Sequence, residues 1–287
     1  MVWSFDTSEP IAAEVDIAAG SIHLIAGDQT NTVVTVNPAN PSSKMDVEAA
    51  EKARVELSGS GLSVVVPKPG GIMSYISFRD WGLVDVVIEL PAGSSVDAKT
   101  GAGDLRADGQ FGEVGARSGA GDIHVDQAHA RRLVSGAGRL TLGSSLGDTE
   151  LITAGDMDIG LVEGSAQVKN LNGRTRIGKV SGRLRVRSAN GDISVGQAAS
   201  DVAIRTANGS IEIGELVSGE VSLATASGAL DIGIARGTSA WVDARTQFGH
   251  VRNDLEPTAG PEDTGAKVEI RARTSFGDVH IHRASSS

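Results

Sequence analysis

The 287-residue chain contains no cysteine, which removes disulfides, thiol nucleophiles and thiolate metal sites together. Aromatic residues make up only 3% of it, so a core has to be built from Val, Ile, Leu and Ala, and the aromatic platforms that usually bind sugars are scarce. With 8 prolines against 37 glycines, 40% hydrophobic content and 22% charged residues, the composition suits many tight turns rather than disorder. No stretch approaches the roughly 20 apolar residues that span a bilayer, so no membrane insertion is expected. A basic excess is also missing. The net charge is −10; residues 1–96 hold 5 Lys/Arg against 12 Asp/Glu, and residues 97–287 hold 21 against 24. No nucleic-acid partner is expected from such a balance. The first ten residues carry Asp6 and Glu9 and no apolar run, unlike a signal peptide, so a cytoplasmic location is expected.

What the chain does have is a repeat. Ten glycines from Gly103 to Gly277 follow a hydroxyl or amide residue, three positions earlier in nine copies and two before Gly155, and precede by two positions a residue that is apolar in all copies but one, Thr175 after Gly173. The steps between them are 18, 17, 17, 18, 18, 18, 19, 21 and 28 residues. A period near 18 is too short for a helix pair and points to one short β-unit stacked on copies of itself. In one copy Leu184, Val186 and Ser188 alternate, Asn190-Gly191 turns, and Ile193 and Val195 alternate again; the next copy repeats this with Val202, Ile204, Thr206, Asn208-Gly209, Ile211 and Ile213. The expected fold is therefore all-β, a single-stranded β-solenoid of about ten 17–19-residue rungs over residues 97–287. Residues 1–96 are expected to cap its open sheet edge with antiparallel strands and one short helix near Met45 to Arg54. No equal cap is evident after His282. Gly70 to Gly82, which holds Met73, Tyr75, Phe78 and Trp81, reads as a mobile loop.

Stacking turns residues one period apart into neighbours, so candidate sites are columns. Three before each glycine, or two in the case of Gly155, stand Thr100, Ser118, Ser135, Thr153, Asn170, Ser188, Thr206, Thr225, Thr246 and Thr274, an inward ladder able to bond the turn backbone. Immediately after it stand Asp104, Asp122, Arg139, Asp156, Arg174, Asp192, Ser210, Ala229, His250 and Asp278. The repeated Gly-Asp evokes calcium rolls, but the arginines interrupt it and favour an alternating Asp156, Arg174, Asp192 ion column, with Asp158 and Arg176 paired two residues on. Asn172, Asn190 and Asn208 occupy the turn before glycine, where a left-handed conformation or stacked amides explain them. The most basic surface gathers Lys169, Arg174, Arg176, Lys179, Arg183, Arg185, Arg187 and Arg205, with no acid between Lys169 and Arg187, and is the candidate interaction patch. His280 and His282 share a strand face at i, i+2 but lack an identifiable third ligand, so no metal is expected. Gly-Ala-Gly at Gly101, Gly119 and Gly136 opens no helix, so no nucleotide or other cofactor is expected.

The segments Ser118-Gly-Ala-Gly-Asp-Ile-His-Val125, Arg187-Ser-Ala-Asn-Gly-Asp-Ile-Ser-Val195, Arg245-Thr-Gln-Phe-Gly-His-Val-Arg252 and Arg271-Ala-Arg-Thr-Ser-Phe-Gly-Asp-Val279 carry a resemblance. The chain resembles a bacterial putative-adhesin family of β-strand repeats, of unknown function, in a signal-less form common in actinobacteria. That resemblance implies a β-solenoid and no catalytic residues. The function expected is a non-enzymatic scaffold or interaction module that binds a protein partner or self-assembles as a homo-oligomer. The alternatives are a cell-envelope or carbohydrate-binding adhesin and a β-helix enzyme acting on polysaccharides.

Overall fold

The computed structural model describes residues 1–67, 81–256 and 265–284. Residues 68–80, most of the stretch read above as a loop, lie outside the described residues; Trp81 is described, and it is buried against Ala18 and Ala19. The chain divides into two compact units, Met1–Ser144 and Ser145–Ser287, whereas the sequence suggests a boundary at 96/97, which falls inside one strand.

In the first unit the elements are β1 (Val2–Asp6), β2 (Ala12–Ile17), β3 (Gly20–Gly27), β4 (Asn31–Pro38), α1 (Lys44–Glu51), β5 (Arg54–Ser58), β6 (Gly61–Val66), β7 (Val84–Pro91), β8 (Ser95–Thr100), β9 (Leu105–Ser118), β10 (Ile123–Ser135) and β11 (Leu140–Ser145). Strands β2, β3, β6 and β7 are not antiparallel, as the sequence suggests, but already form parallel rungs. β2 pairs in parallel with both β6 and β8, and β3 with both β7 and β9, so the rung made of β2 and β3 lies between two rungs that follow it in sequence. Their alternation explains it: Val15, Ile17, Ile22 and Leu24 face inward and are fully buried, as are Val64, Val84, Val86 and Ile88 of the rung beside them. Among the described residues only β1, β4 and β5 run antiparallel to their neighbours, and they cover the outer rung by pairing β4 with β7 and with β1, and β5 with β6. Ser43 caps α1 by accepting a hydrogen bond from the Asp46 amide, and buried Asp46 accepts from the Asn40 and Leu83 amides, tying the helix to the start of β7.

The second unit contains β12 (Thr149–Thr153), β13 (Met157–Val162), β14 (Ala166–Asn172), β15 (Thr175–Val180), β16 (Leu184–Asn190), β17 (Ile193–Ala198), β18 (Val202–Asn208), β19 (Ile211–Leu216), β20 (Gly219–Ser227), β21 (Leu230–Ile234), β22 (Ser239–Phe248), β23 (Val251–Asn253), β24 (Lys267–Phe276) and β25 (Val279–Arg283). Two parallel ladders run through it, β12-β14-β16-β18-β20-β24-β22 and β13-β15-β17-β19-β21-β25-β23. Copies stack in sequence order until β20 and β21. The last described copy then slips in between: β24 and β25 sit on β20 and β21, and β22 and β23 sit on β24 and β25. The long steps of 21 and 28 residues belong to this exchange, because a chain that passes over one rung and returns needs longer connections. The outermost rung is consequently 239–253, not the one ending near His282.

A second glycine column, absent from the sequence reading, keeps the rungs close. A Cβ on Gly178 would lie 2.5 Å from the Gly160 carbonyl oxygen, one on Gly196 2.5 Å from that of Gly178, and one on Gly233 2.0 Å from that of Gly214. Gly178→Ala should therefore lower stability by about 1–3 kcal/mol, the usual cost of overpacking. Gly61→Ala, whose Cβ would meet nothing closer than 3.4 Å, should stay within about 0.5 kcal/mol of the parent in urea unfolding.

Candidate functional site

Nine of the ten repeat glycines, all but Gly155, turn the corner with positive φ, +115° at Gly191 and +139° at Gly209, where L side chains are strained. The hydroxyl or amide residue three positions earlier points inward and bonds the turn. Ser118 donates to the Gly103 carbonyl at 2.9 Å, Ser135 to Gly121 at 2.8 Å, Thr225 to Gly209 at 3.0 Å, and Thr100 to Gly20 at 3.2 Å. Thr274 donates to Gly228 at 3.0 Å and Thr246 to Gly277 at 2.9 Å, which repeats the exchanged rung order in side-chain contacts. Within their own turns, Thr153 accepts from the Gly155 amide, Ser188 donates to the Asn190 carbonyl, Thr206 to that of Asn208, and Asn170 to that of Gly173 and to the Thr175 hydroxyl. All ten hydroxyl and amide groups are thus committed to the backbone of a corner.

The aspartates after glycine bind the backbone of the next rung. Asp104 accepts from the Asp122 amide at 2.8 Å, Asp122 from the Arg139 amide at 2.7 Å, Asp156 from the Arg174 amide at 2.9 Å, and Asp192 from the Ser210 amide at 2.9 Å. A carboxylate on one rung therefore binds a backbone N–H of the next, a charge-assisted bond that works whatever side chain follows. This is why Arg139 and Arg174 interrupt the column without harm. The Asp158–Arg176 pair does form, at 3.3 Å. The turn amides stack, Asn190 donating to Asn172 at 2.8 Å and Asn208 to Asn190 at 2.9 Å. At the opposite corner Asp201 accepts from the Glu220 amide and from Arg183, which together hold its carboxyl below the usual carboxylate range.

The structure spreads the eight basic residues over more than one face. Arg185, Arg187 and Arg205 point outward from β16 and β18, next to half-buried Lys169 on β14, with Lys169, Arg187 and Arg205 in direct register. Arg176 and Lys179 lie on β15, and Arg174 and Arg183 at corners. Carboxylates from other rungs meet three of them: Glu150 reaches Lys169 at 2.8 Å, Asp158 reaches Arg176, and Asp201 reaches Arg183 at 3.0 Å. Among the described residues, no carboxylate lies within ion-pair reach of Arg185, Arg187 or Arg205.

Two clusters of histidine and aspartate were not legible from spacing. In the first unit His23 and Arg106 both bind Asp108, at 2.8 and 2.6 Å, and His124 binds Asp126 at 2.8 Å. Burial pushes the Asp108 carboxyl up, but the hydrogen bonds from Arg106 and His23 outweigh it and hold the group below its ordinary value. In the second unit Asp231 supplies the third group that His280 and His282 lack in sequence, 2.8 Å from His282 Nε2 and 3.6 Å from His280 Nδ1. The exchange of rungs brings it there, since β25 lies on β21. Asp254, which accepts from Arg252 and from His280, is held below the usual carboxylate range by those two bonds.

The outer rung exposes three apolar side chains among polar ones such as Arg245, Gln247 and His250. Trp241, Phe248 and Val251 are 57%, 64% and 45% exposed, and Phe248 stacks on Phe276 of the rung beneath with ring centroids 4.9 Å apart.

A family model described as Toastrack DUF4097 matches residues 12–286. None of the curated proteins matches. Among solved structures the chain is similar to a putative adhesin from Bacteroides fragilis, with 12% identity, 98% of this chain and 96% of that chain covered and a TM-score of 0.36. It is also similar to a putative lipid binding protein from Parabacteroides distasonis, at 11% identity, 99% and 96% coverage and a TM-score of 0.30. A putative adhesin from Parabacteroides distasonis matches at 11% identity, 98% and 96% coverage and a TM-score of 0.33. No helix among the described residues is long and apolar enough to cross a membrane.

The aspartate column makes a prediction that separates an acceptor role from an ionic one. Asp192→Asn keeps an oxygen facing the Ser210 amide and should lose less than Asp192→Ala, which should cost about 0.5–1.5 kcal/mol in urea unfolding. Equal losses in the two variants would contradict the assignment.

Proposed function

The chain belongs to the Toastrack DUF4097 family, and from that footing we propose that it is a non-catalytic interaction module whose C-terminal unit docks an acidic protein surface on its arginine face. The observation that carries this reading is the in-register placement of Arg187 and Arg205, beside Arg185, without a carboxylate in reach. Neighbouring strands stand ~4.8 Å apart, so two such charges repel by about 0.9 kcal/mol even in water. A partner carboxylate removes that repulsion and can meet a guanidinium through two parallel hydrogen bonds. Parallel strands backed by a filled interior of Val186, Ile204 and Leu223 hold the arginines on a rigid surface, which lowers the ordering cost of binding. A non-catalytic role accords with the hydroxyl column, whose groups bond corner backbone and leave no activated nucleophile there.

The test is affinity purification from the native cell with the parent and the Arg185→Ser, Arg187→Ser, Arg205→Ser triple variant side by side. Partner recovery should fall roughly tenfold or more for the variant, with thermal unfolding unchanged. Equal recovery would remove the arginine face from the reading.

The exposed outer rung favours a second reading, association with another copy of the chain. β22 offers an edge with Trp241, Phe248 and Val251 exposed beside it, a combination that sheet proteins ordinarily cover or charge. Sedimentation velocity should show a dimer that Trp241→Lys with Phe248→Lys converts to monomer. A parent that stays monomeric at high concentration would exclude this route.

A further inference from the structure

We infer that Asp231, His280 and His282 form a binding site for a divalent transition metal of the zinc class, with Asp254 as the outer group that orients His280. The assignment rests on which nitrogen of each ring carries a hydrogen. His282 Nδ1 lies 2.8 Å from the Arg283 carbonyl oxygen, which can only accept, so Nδ1 is the donor and the neutral ring presents a lone pair at Nε2. His280 Nε2 lies 3.0 Å from Asp254 Oδ2, so that ring presents its lone pair at Nδ1. Both lone pairs face the same carboxylate oxygen, Asp231 Oδ1, at 2.8 Å from His282 and 3.6 Å from His280. Neutral nitrogens and a carboxylate have no hydrogen to share. The contact needs a cation in the middle, either a proton or a metal.

The geometry accommodates the metal. Tetrahedral zinc with bonds of about 2.0–2.2 Å places its ligand atoms about 3.3–3.6 Å apart, a spacing within the range of the two distances observed. All three ligand atoms lie within 4.8 Å of one another. Gly233 stands opposite His282 in the ladder and puts no side chain in its way. Side-chain exposures of 27% to 49% leave a route for the ion and room for water at the fourth position. An outer carboxylate or carbonyl on each remote nitrogen is the arrangement that fixes the tautomer and strengthens a histidine ligand. Of the two nearby arginines, Arg252 is bound to Asp254, and Arg283 donates to the Ala235 and Thr238 carbonyls. The other His/Asp cluster differs here. There Arg106 and His23 take Asp108 Oδ2, which leaves Oδ1 towards His124 at 4.0 Å, and the guanidinium charge on the same carboxylate opposes a second cation. Bound at Asp231, the ion would join the β21 and β25 rungs and, through Asp254, the rung beyond them.

Isothermal titration of the untagged full chain with Zn2+ at pH 7.5 should give one site per chain. Asp231→Ala and His282→Ala should each abolish it, and Asp254→Ala should weaken it roughly 10- to 100-fold. His124→Ala, in the other cluster, should bind as the parent does. Thermal unfolding should shift upward with Zn2+ and fall back with EDTA in the parent and not in His282→Ala, a comparison that holds even if the substitutions lower basal stability. No heat in the parent, or unchanged binding in Asp231→Ala and His282→Ala, would overturn the site.

Discussion

In-register parallel pairing of one rung on the next is the constraint from which the rest of this molecule follows. Once Val168, Val186 and Ile204 share a ladder, every other position in the rung is fixed relative to its counterpart. Backbone atoms then approach so closely at the corners that only glycine fits, and side chains at the turn must satisfy whatever the tight backbone leaves unpaired. Inward hydroxyls serve the carbonyls. Outward aspartates serve the amides. These two columns are one solution to a single hydrogen-bonding problem, the hydroxyls in nearly every lap and the aspartates in about half of them.

The same register converts an ordinary sequence repeat into a surface with a charge pattern. A basic residue every eighteenth position is unremarkable in the text, yet in the fold Lys169, Arg187 and Arg205 become a line of charges a strand's width apart. Which of them stay unneutralised depends on acids that come from other rungs, as Glu150 does for Lys169 and Asp201 for Arg183. Net charge over a segment is therefore a poor guide to the field over a face, because sequence neighbours such as Arg176 and Arg187 end on different ladders.

Much of the architecture was legible in the sequence because the turn chemistry is strict: a hydroxyl, two residues, glycine and an alternating pair of aliphatics leave few other folds. The inward hydroxyl ladder and the stacked asparagines could be read for the same reason. Spatial order could not. A period says that copies stack, not which copy lies on which, so the insertion of β24 between β20 and β22 left only an indirect trace in two long steps. The third member of the Asp231, His280, His282 group was hidden with it, since Asp231 and His280 are neighbours only in that order. The early rungs escaped notice because Ile17 stands where later copies carry Thr100, and the corner at Gly20 is therefore unmarked. The aspartate column's bonds to backbone amides were not legible, because no sequence displays a backbone partner.

One consequence of the inserted rung concerns how the chain comes apart. A stacked coil ordinarily frays from its last-made lap, layer by layer, as a zipper opens from the tab. Here the final described strands, β24 and β25, are gripped on both sides, by β20 and β21 below and by β22 and β23 above. A pull on β25 meets a layer that cannot peel until its outer neighbour has let go.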